Sequence, residues 1–245
     1  MKSVVQAVTQ KAGEYMRSSQ PITAGGKIRT IITGSTGMVG EGVLHECLTH
    51  PQVEQILLIN RRPSGISHPK VTEIIHENFY DLSSISGKLA GYNACYFCLG
   101  VSSVGLKEEE YRRLTYDLTM HVARQLSALN PEMVFCYVTG SGTDSTEQGR
   151  SMWARVKGKT ENDLRKLPFR GTYFFRPGFI RPTPGLTRTH KYYYAIGWMY
   201  PVLRALFPGY AVTLQEIGLA MIHIVSRGHD RDIVENRDIA AIAKP

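Results

Sequence analysis

Four cysteines in 245 residues are too few, for a chain this long, to make a disulfide framework. Cys95 and Cys98 imitate a redox pair, but they lie in the apolar run 94–99, and residues three apart on a strand face opposite ways. Buried, reduced thiols are expected, and with them a cytoplasmic protein. Residues 1–20 hold no apolar core of the length a secretory signal needs, and Lys2, Lys11, Glu14 and Arg17 interrupt them. A short amphipathic helix ending near Pro21 is the expectation for that extension, residues 1–26. The formal net charge is +8, yet no run of four basic residues occurs. Nucleic-acid binding is therefore not expected, and the positive excess suits an anionic cofactor and a solvated surface. The eight histidines show no metal-ligand spacing, so no metal is expected. Gly140-Ser141-Gly142 lacks the second spacing of a nucleophile elbow, which argues against a hydrolase. No internal repeat or low-complexity tract is present.

The most informative segment is Gly34-Ser35-Thr36-Gly37-Met38-Val39-Gly40. It follows the β-branched run 28–33 and opens residues 38–48, where Val39, Val43, Leu44 and Leu48 fall at helical spacing. A strand, a tight glycine turn and a helix N-terminus together form a dinucleotide phosphate site. The glycines let backbone approach a pyrophosphate, and the helix end offers free N–H groups and positive potential. Downstream, strand-like runs at 56–60, 71–75, 94–99, 133–138 and 172–175 alternate with helix-like ones at 107–129 and 152–167. This alternation predicts an α/β fold: a doubly wound parallel sheet of the Rossmann type over residues 27–180. A smaller C-terminal substrate-binding portion, residues 181–245, is expected to be integrated with it. Thr213-Leu214-Gln215-Glu216 has the pattern of a capping box and starts a helix, and Ile233-Val234 and Ile239 read as a short strand and a terminal turn.

These elements resemble the short-chain dehydrogenase/reductase superfamily, closest to its atypical, epimerase-like members, including the Tat-interacting-protein and NmrA-like groups. The resemblance covers roughly residues 28–180. It rests on Gly34, Gly37 and Gly40, a basic pair after strand two, the small-residue end of strand four, Ser141, Lys157, and Phe175-Arg176-Pro177-Gly178. It implies that Asn78 and Phe79 border an adenine, that Leu99, Gly100, Val101 and Ser102 line the adenosine and nicotinamide ribose, and that Thr139, Pro177, Gly178 and Phe179 complete the cofactor site. Strand two ends in Asn60-Arg61-Arg62, where an NAD site usually carries a carboxylate for the ribose hydroxyls. Arg61 and Arg62 suit a 2′-phosphate instead, so NADP is the expected cofactor and NAD the lesser one.

The catalytic segment departs from the pattern. The family places Tyr-x-x-x-Lys on one helix face; this chain has Trp153-Ala154-Arg155-Val156-Lys157. Lys157 can still reach a ribose, but an indole N–H is only a donor and does not ionise usefully. Trp153 is read as a pocket wall, with Ser141 holding a substrate oxygen and Thr139 as the fallback. Tyr80, Tyr111 and Tyr116 are distant alternatives for the missing acid. Two readings stay open: an NADP-dependent oxidoreductase or epimerase-like enzyme acting on a small molecule, and a non-catalytic dinucleotide-binding regulator or redox sensor. The aromatic segment 191–207 is too short and too charged to span a bilayer and reads as a substrate lid. A homodimer contact or peripheral membrane contact through the same residues are the alternatives.

Overall fold

Seven strands run parallel in the order β3-β2-β1-β4-β5-β6-β9, in the computed structural model, which describes residues 26–183, 185, 186 and 209–245. In chain order these are β1 (Ile28–Thr33), β2 (Val53–Asn60), β3 (Val71–Ile75), β4 (Ala94–Phe97), β5 (Val134–Val138), β6 (Gly171–Arg176) and β9 (Ile233–Glu235). A two-stranded parallel pair, β7 (Phe179–Arg181) and β8 (Ala211–Thr213), stands apart from the sheet. The helices are α1 (Met38–Thr49), α2 (Glu108–Arg112), α3 (Leu118–Leu129), α4 (Met152–Leu164), α5 (Leu214–Arg227) and α6 (Asn236–Ile242). The strand order reverses beside β1, and such a switch point opens the crevice in which α/β sheets bind ligands.

Each face of the sheet carries its own core, as a parallel sheet covered on both sides requires. Ile32, Leu58 and Tyr96 pack under α1 and α5, with Val43, Ile217 and Met221 among their partners. Ile31, Leu57, Phe97 and Phe135 pack under α3 and α4, against Met120, Leu126 and Leu164. Adjacent strand residues divide between these cores, and so do two of the cysteines: Cys95 belongs to the second, while Cys98 packs against the first. Their sulfurs diverge as their spacing predicts, and all four cysteines are free.

The doubly wound parallel architecture agrees with the sequence pattern, with differences at the ends of elements. The long helix expected over 107–129 is interrupted by a π turn at Arg113–Asp117, where α2 passes into α3. Around Ile239 the chain forms α6 rather than a turn, because Glu235 and Asp238 make a reciprocal cap at its start. The Thr213–Glu216 capping box is present at the head of α5. Residues 214–245 return to the main fold, with α5 in the first core and β9 paired to β6. The N-terminal helix and the lid, dimer or membrane segment at 191–207 lie outside the described residues. No helix among the described residues is long and apolar enough to cross a membrane.

Candidate active site

β1 ends in a turn that only glycine can make. Gly34 has φ 71°, and a Cβ there would lie 2.8 Å from the carbonyl carbon of Cys98. A Cβ on Gly40 would lie 2.1 Å from the Gly34 carbonyl oxygen, so the first turn of α1 rests directly on the loop. Gly37 closes the loop by donating its N–H to Gly34 O at 2.9 Å, and Glu41 donates to Gly37 O as the first helical bond. No side chain caps α1, so the N–H groups of its first turn stay open to an anion. Thr36 and Met38 are half-buried beside exposed Gly37, while Val39 packs against the first core. Across the crevice, a Cβ on Gly100 would meet no atom of the described residues within 4 Å. Exposed Gly100, Val101 and Ser102 and half-buried Leu99 line this side. An uncapped helix end, with no described atom near a Cβ on Gly100 across the crevice, fits a dinucleotide pyrophosphate.

Ser35 points inward. Its hydroxyl donates to Asn60 Oδ1 at 3.0 Å and accepts from Asn60 Nδ2 at 2.8 Å, with both residues buried. Asn60 Nδ2 also donates to Glu73 Oε1 at 2.7 Å, and the same oxygen accepts the Ser64 N–H at 2.9 Å. Arg61 and Arg62 stand exposed in the turn between these two bonds. Asn78 is exposed after β3, with its side-chain oxygen accepting the Tyr80 N–H. Phe79 is 3% exposed and packed with Leu82 and Ile85, so its ring is a core group and not a free face for an adenine. Glu73 is the residue that sequence reasoning missed.

At the carboxyl end of β5, Lys157 Nζ donates to Thr139 O at 3.1 Å and to Val138 O at 3.3 Å, and it lies 5.7 Å from the Tyr137 ring centroid. Two of its three hydrogens are used, and the third has no acceptor among the described residues. Ser141 is fixed by its backbone, whose N–H donates to Pro177 O at 2.9 Å, and its half-buried hydroxyl has no partner among the described residues. Thr139 is committed elsewhere: its hydroxyl bonds Glu161 Oε1 at 2.8 Å and Phe175 O at 3.1 Å. Trp153 covers the loop, its ring within 3.8 Å of a Cβ built on Gly140 and 3.7 Å of one on Gly142. Gly178 donates to Asn236 Oδ1 at 2.9 Å, and Phe179 donates to Tyr210 O at 3.0 Å, which anchors the segment after Pro177 to the C-terminal elements. Beneath the site, Glu161 is fully buried and pairs with Arg176, whose Nε and Nη2 donate to its two oxygens at 3.1 and 2.5 Å.

The three distant tyrosines do not supply an acid. Tyr80 donates to Arg113 O at 2.6 Å and Tyr116 to Asp163 Oδ2 at 2.7 Å. Burial raises the pKa of both and of Tyr111 above the ordinary tyrosine value. Lys157 moves the other way: burial lowers its pKa from 10.5 to about 8, against the opposing charge of Glu161. The folded chain therefore releases this proton near pH 8, whereas the unfolded chain keeps it to about 10.5. Between those values the unfolded state binds more protons, so the contribution of this group to stability rises with pH while its charge toward a ligand is lost. Dinucleotide affinity is expected to decline above pH 8 in the wild type and to be flat there in Lys157→Met. The melting temperature of Lys157→Met should exceed that of the wild type at pH 7, with the gap narrowing toward pH 10. Parallel titrations and thermal melts between pH 6.5 and 10 check both.

No family model matches the chain. It is 27% identical over 157 residues to the mitochondrial protein fmp52-1 of Aspergillus oryzae, covering 62% of this chain and 65% of that protein. With the mitochondrial protein fmp52 of Emericella nidulans it shares 26% over 206 residues, covering 78% and 84%. Leucinostatins biosynthesis cluster protein T of Purpureocillium lilacinum is 32% identical over 144 residues, covering 56% of this chain and 51% of that protein. The chain thus spans about two thirds of the Aspergillus oryzae protein and half of the Purpureocillium lilacinum one, and more of the Emericella nidulans protein. Among solved structures, the UDP-N-acetylglucosamine 4-epimerase of Methanobrevibacter ruminantium M1, in complex with UDP-N-acetylmuramic acid, superposes with a TM-score of 0.61 at 14% identity, over 85% of this chain and 75% of that one. The Bordetella bronchiseptica enzyme WbmF, in complex with NAD+, superposes with a TM-score of 0.62 at 12% identity, over 89% and 77%. The fold is therefore the Rossmann-like fold of NAD-binding epimerase and dehydratase structures. The expectation of a cytoplasmic protein is corrected by the fmp52 relatives, which are named mitochondrial. Cys47, Cys95 and Cys136 are buried and Cys98 is half-buried, and free thiols so placed carry no address.

Proposed function

We propose that this chain is an NADP-preferring oxidoreductase of the epimerase-like type, acting on the carbonyl or alcohol group of a small molecule. The observation that carries the reading is a desolvated Lys157 bonded to the Thr139 carbonyl, two residues before a Ser141 hydroxyl that has no partner among the described residues, at the carboxyl end of the sheet. Bound at this site, the nicotinamide would supply hydride chemistry. Lys157 would hold the ribose with its remaining N–H and place positive charge beneath the ring. Ser141 would donate to the substrate oxygen. Arg61 and Arg62, exposed at the end of β2, support binding of a 2′-phosphate. The names of the relatives support a mitochondrial location.

A second reading, a dinucleotide-binding protein without turnover, is favoured by Trp153. Its indole takes the helix position from which a tyrosine would act and covers the Gly140–Gly142 loop. Without that tyrosine, acid–base help worth roughly 10²–10⁴-fold is lost unless Lys157 itself exchanges the proton. Assaying wild type and Trp153→Tyr with NADPH against aldehydes, ketones and quinones decides between them. The enzyme reading expects wild-type turnover that Trp153→Tyr does not increase. Turnover that appears only in Trp153→Tyr, or in neither protein while NADPH still binds, assigns the chain to the second reading.

A further inference from the structure

The end of β2 lacks a carboxylate in sequence but not in space. Asn60 occupies the position, and its amide is fully engaged with Ser35 on one side and Glu73 on the other. Glu73 comes from the neighbouring strand, where it pairs with Leu58 in the β2–β3 register, two residues before Asn60. Residues opposite one another in adjacent strands share a face of the sheet, so Glu73 lies on the same face as Asn60. Its Oε1 accepts both the Asn60 amide and the Ser64 backbone N–H and so ties together the two ends of the turn that carries Arg61 and Arg62. Its Oε2 has no partner among the described residues, and the side chain is only half-buried. A negative charge with a free acceptor oxygen therefore sits one hydrogen bond from where a ribose-binding carboxylate would stand.

We propose that Glu73 is a specificity-determining residue for the dinucleotide: its carboxylate opposes a 2′-phosphate and accepts a 2′-hydroxyl, so the preference set by Arg61 and Arg62 is small and the chain takes NADH as well as NADPH. This rests on the dinucleotide reading of the site. Two effects act in opposite directions on the same ribose carbon. The exposed arginines attract a phosphate dianion, and Glu73 repels it from the sheet side while offering the hydroxyl of NADH an acceptor. Glutamine at position 73 keeps an oxygen for both the Asn60 and Ser64 bonds and removes only the charge.

Calorimetric titration of wild type, Glu73→Gln and Arg61→Ala with NADPH and with NADH tests the assignment. In wild type the two dissociation constants are expected to lie within about tenfold of each other. In Glu73→Gln the ratio of the NADH to the NADPH constant should rise on the order of tenfold, with NADPH tightening and NADH weakening, as removal of one partly solvated charge near the phosphate implies. Arg61→Ala should move the ratio the other way, and both shifts should shrink at high salt. An unchanged ratio in Glu73→Gln overturns the proposal and leaves the residue as a tie for the turn. A fall in that ratio also overturns it, because the carboxylate would then be orienting the arginines for the phosphate. Failure of wild type to bind either dinucleotide is a distinct result that removes the dinucleotide reading and this inference with it. A Glu73→Gln chain that does not fold is replaced by Glu73→Ser, whose ratio is read in the same way.

Discussion

Gly37→Asp is expected to weaken dinucleotide binding at least about 100-fold, roughly 2.7 kcal/mol, while leaving the melting temperature unchanged or slightly higher. Gly37 is the N-cap of α1 with φ −103° and ψ 165°, an extended backbone that any residue adopts. Among the described residues a Cβ there meets only the Gly34 oxygen, at 3.4 Å, so the substitution costs the fold little. Aspartate is a better N-cap than glycine by a few tenths of a kcal/mol, because its oxygen accepts from an open amide of the first turn. That oxygen would occupy the amides proposed for the pyrophosphate and would put a negative charge in its place. Stability and binding should therefore move in opposite directions. Differential scanning fluorimetry and calorimetric titration of the same preparation read both. Binding retained within threefold would show that the phosphates do not sit on this helix end.

Glu161→Leu is expected to destabilise the chain by about 3–5 kcal/mol, because it strands a buried arginine. Glu161 is fully buried and Arg176 is 8% exposed. The remaining acceptors of Arg176 are Ser145 Oγ at 2.6 Å and the partly exposed Glu235 carboxylate at 3.6 Å, which do not replace a two-oxygen pairing. The double variant Glu161→Leu, Arg176→Met should recover most of the loss, since two packed apolar side chains leave no buried charge. Urea denaturation of the wild type, both single variants and the double variant completes the cycle. Equal stability of Glu161→Leu and wild type would mean that Arg176 finds water instead. The same substitution removes the charge that holds the Lys157 pKa up, so the decline in dinucleotide affinity with pH should begin below pH 8 in this variant.

Much of the architecture was legible because it is written in local pattern. The β-branched run before Gly34, the helical spacing after Gly37, the continuous apolar stretch that became β2 and the capping box at Thr213 each act within a few residues, where backbone sterics and hydrogen bonding decide the outcome. The alternation of strands and helices, joined by right-handed crossovers, then left few sheet orders to choose from. From the residues alone, the glycine turn, the basic pair Arg61-Arg62, Lys157 and the missing tyrosine could all be named.

Which groups meet was decided only in three dimensions. Glu73 and Asn60 are separated along the chain by the basic turn and the loop into β3, and the register of two parallel strands, which no short pattern encodes, makes them neighbours. Arg176 finds Glu161 because β6 lies beside β5 and α4 packs across both ends, and Thr139 spends its hydroxyl on that pair instead of a substrate. Trp153 read as a pocket wall, but the contact of its ring with Gly140 and Gly142 depends on how α4 docks on the loop after β5. The sequence by itself determined the elements and the glycine turn, because those depend on backbone geometry within one segment. The tertiary structure determined the carboxylate beside Asn60, the proton affinity of Lys157 and the burial of the tyrosines, because desolvation and electrostatic pairing depend on distances through space between residues far apart in the chain.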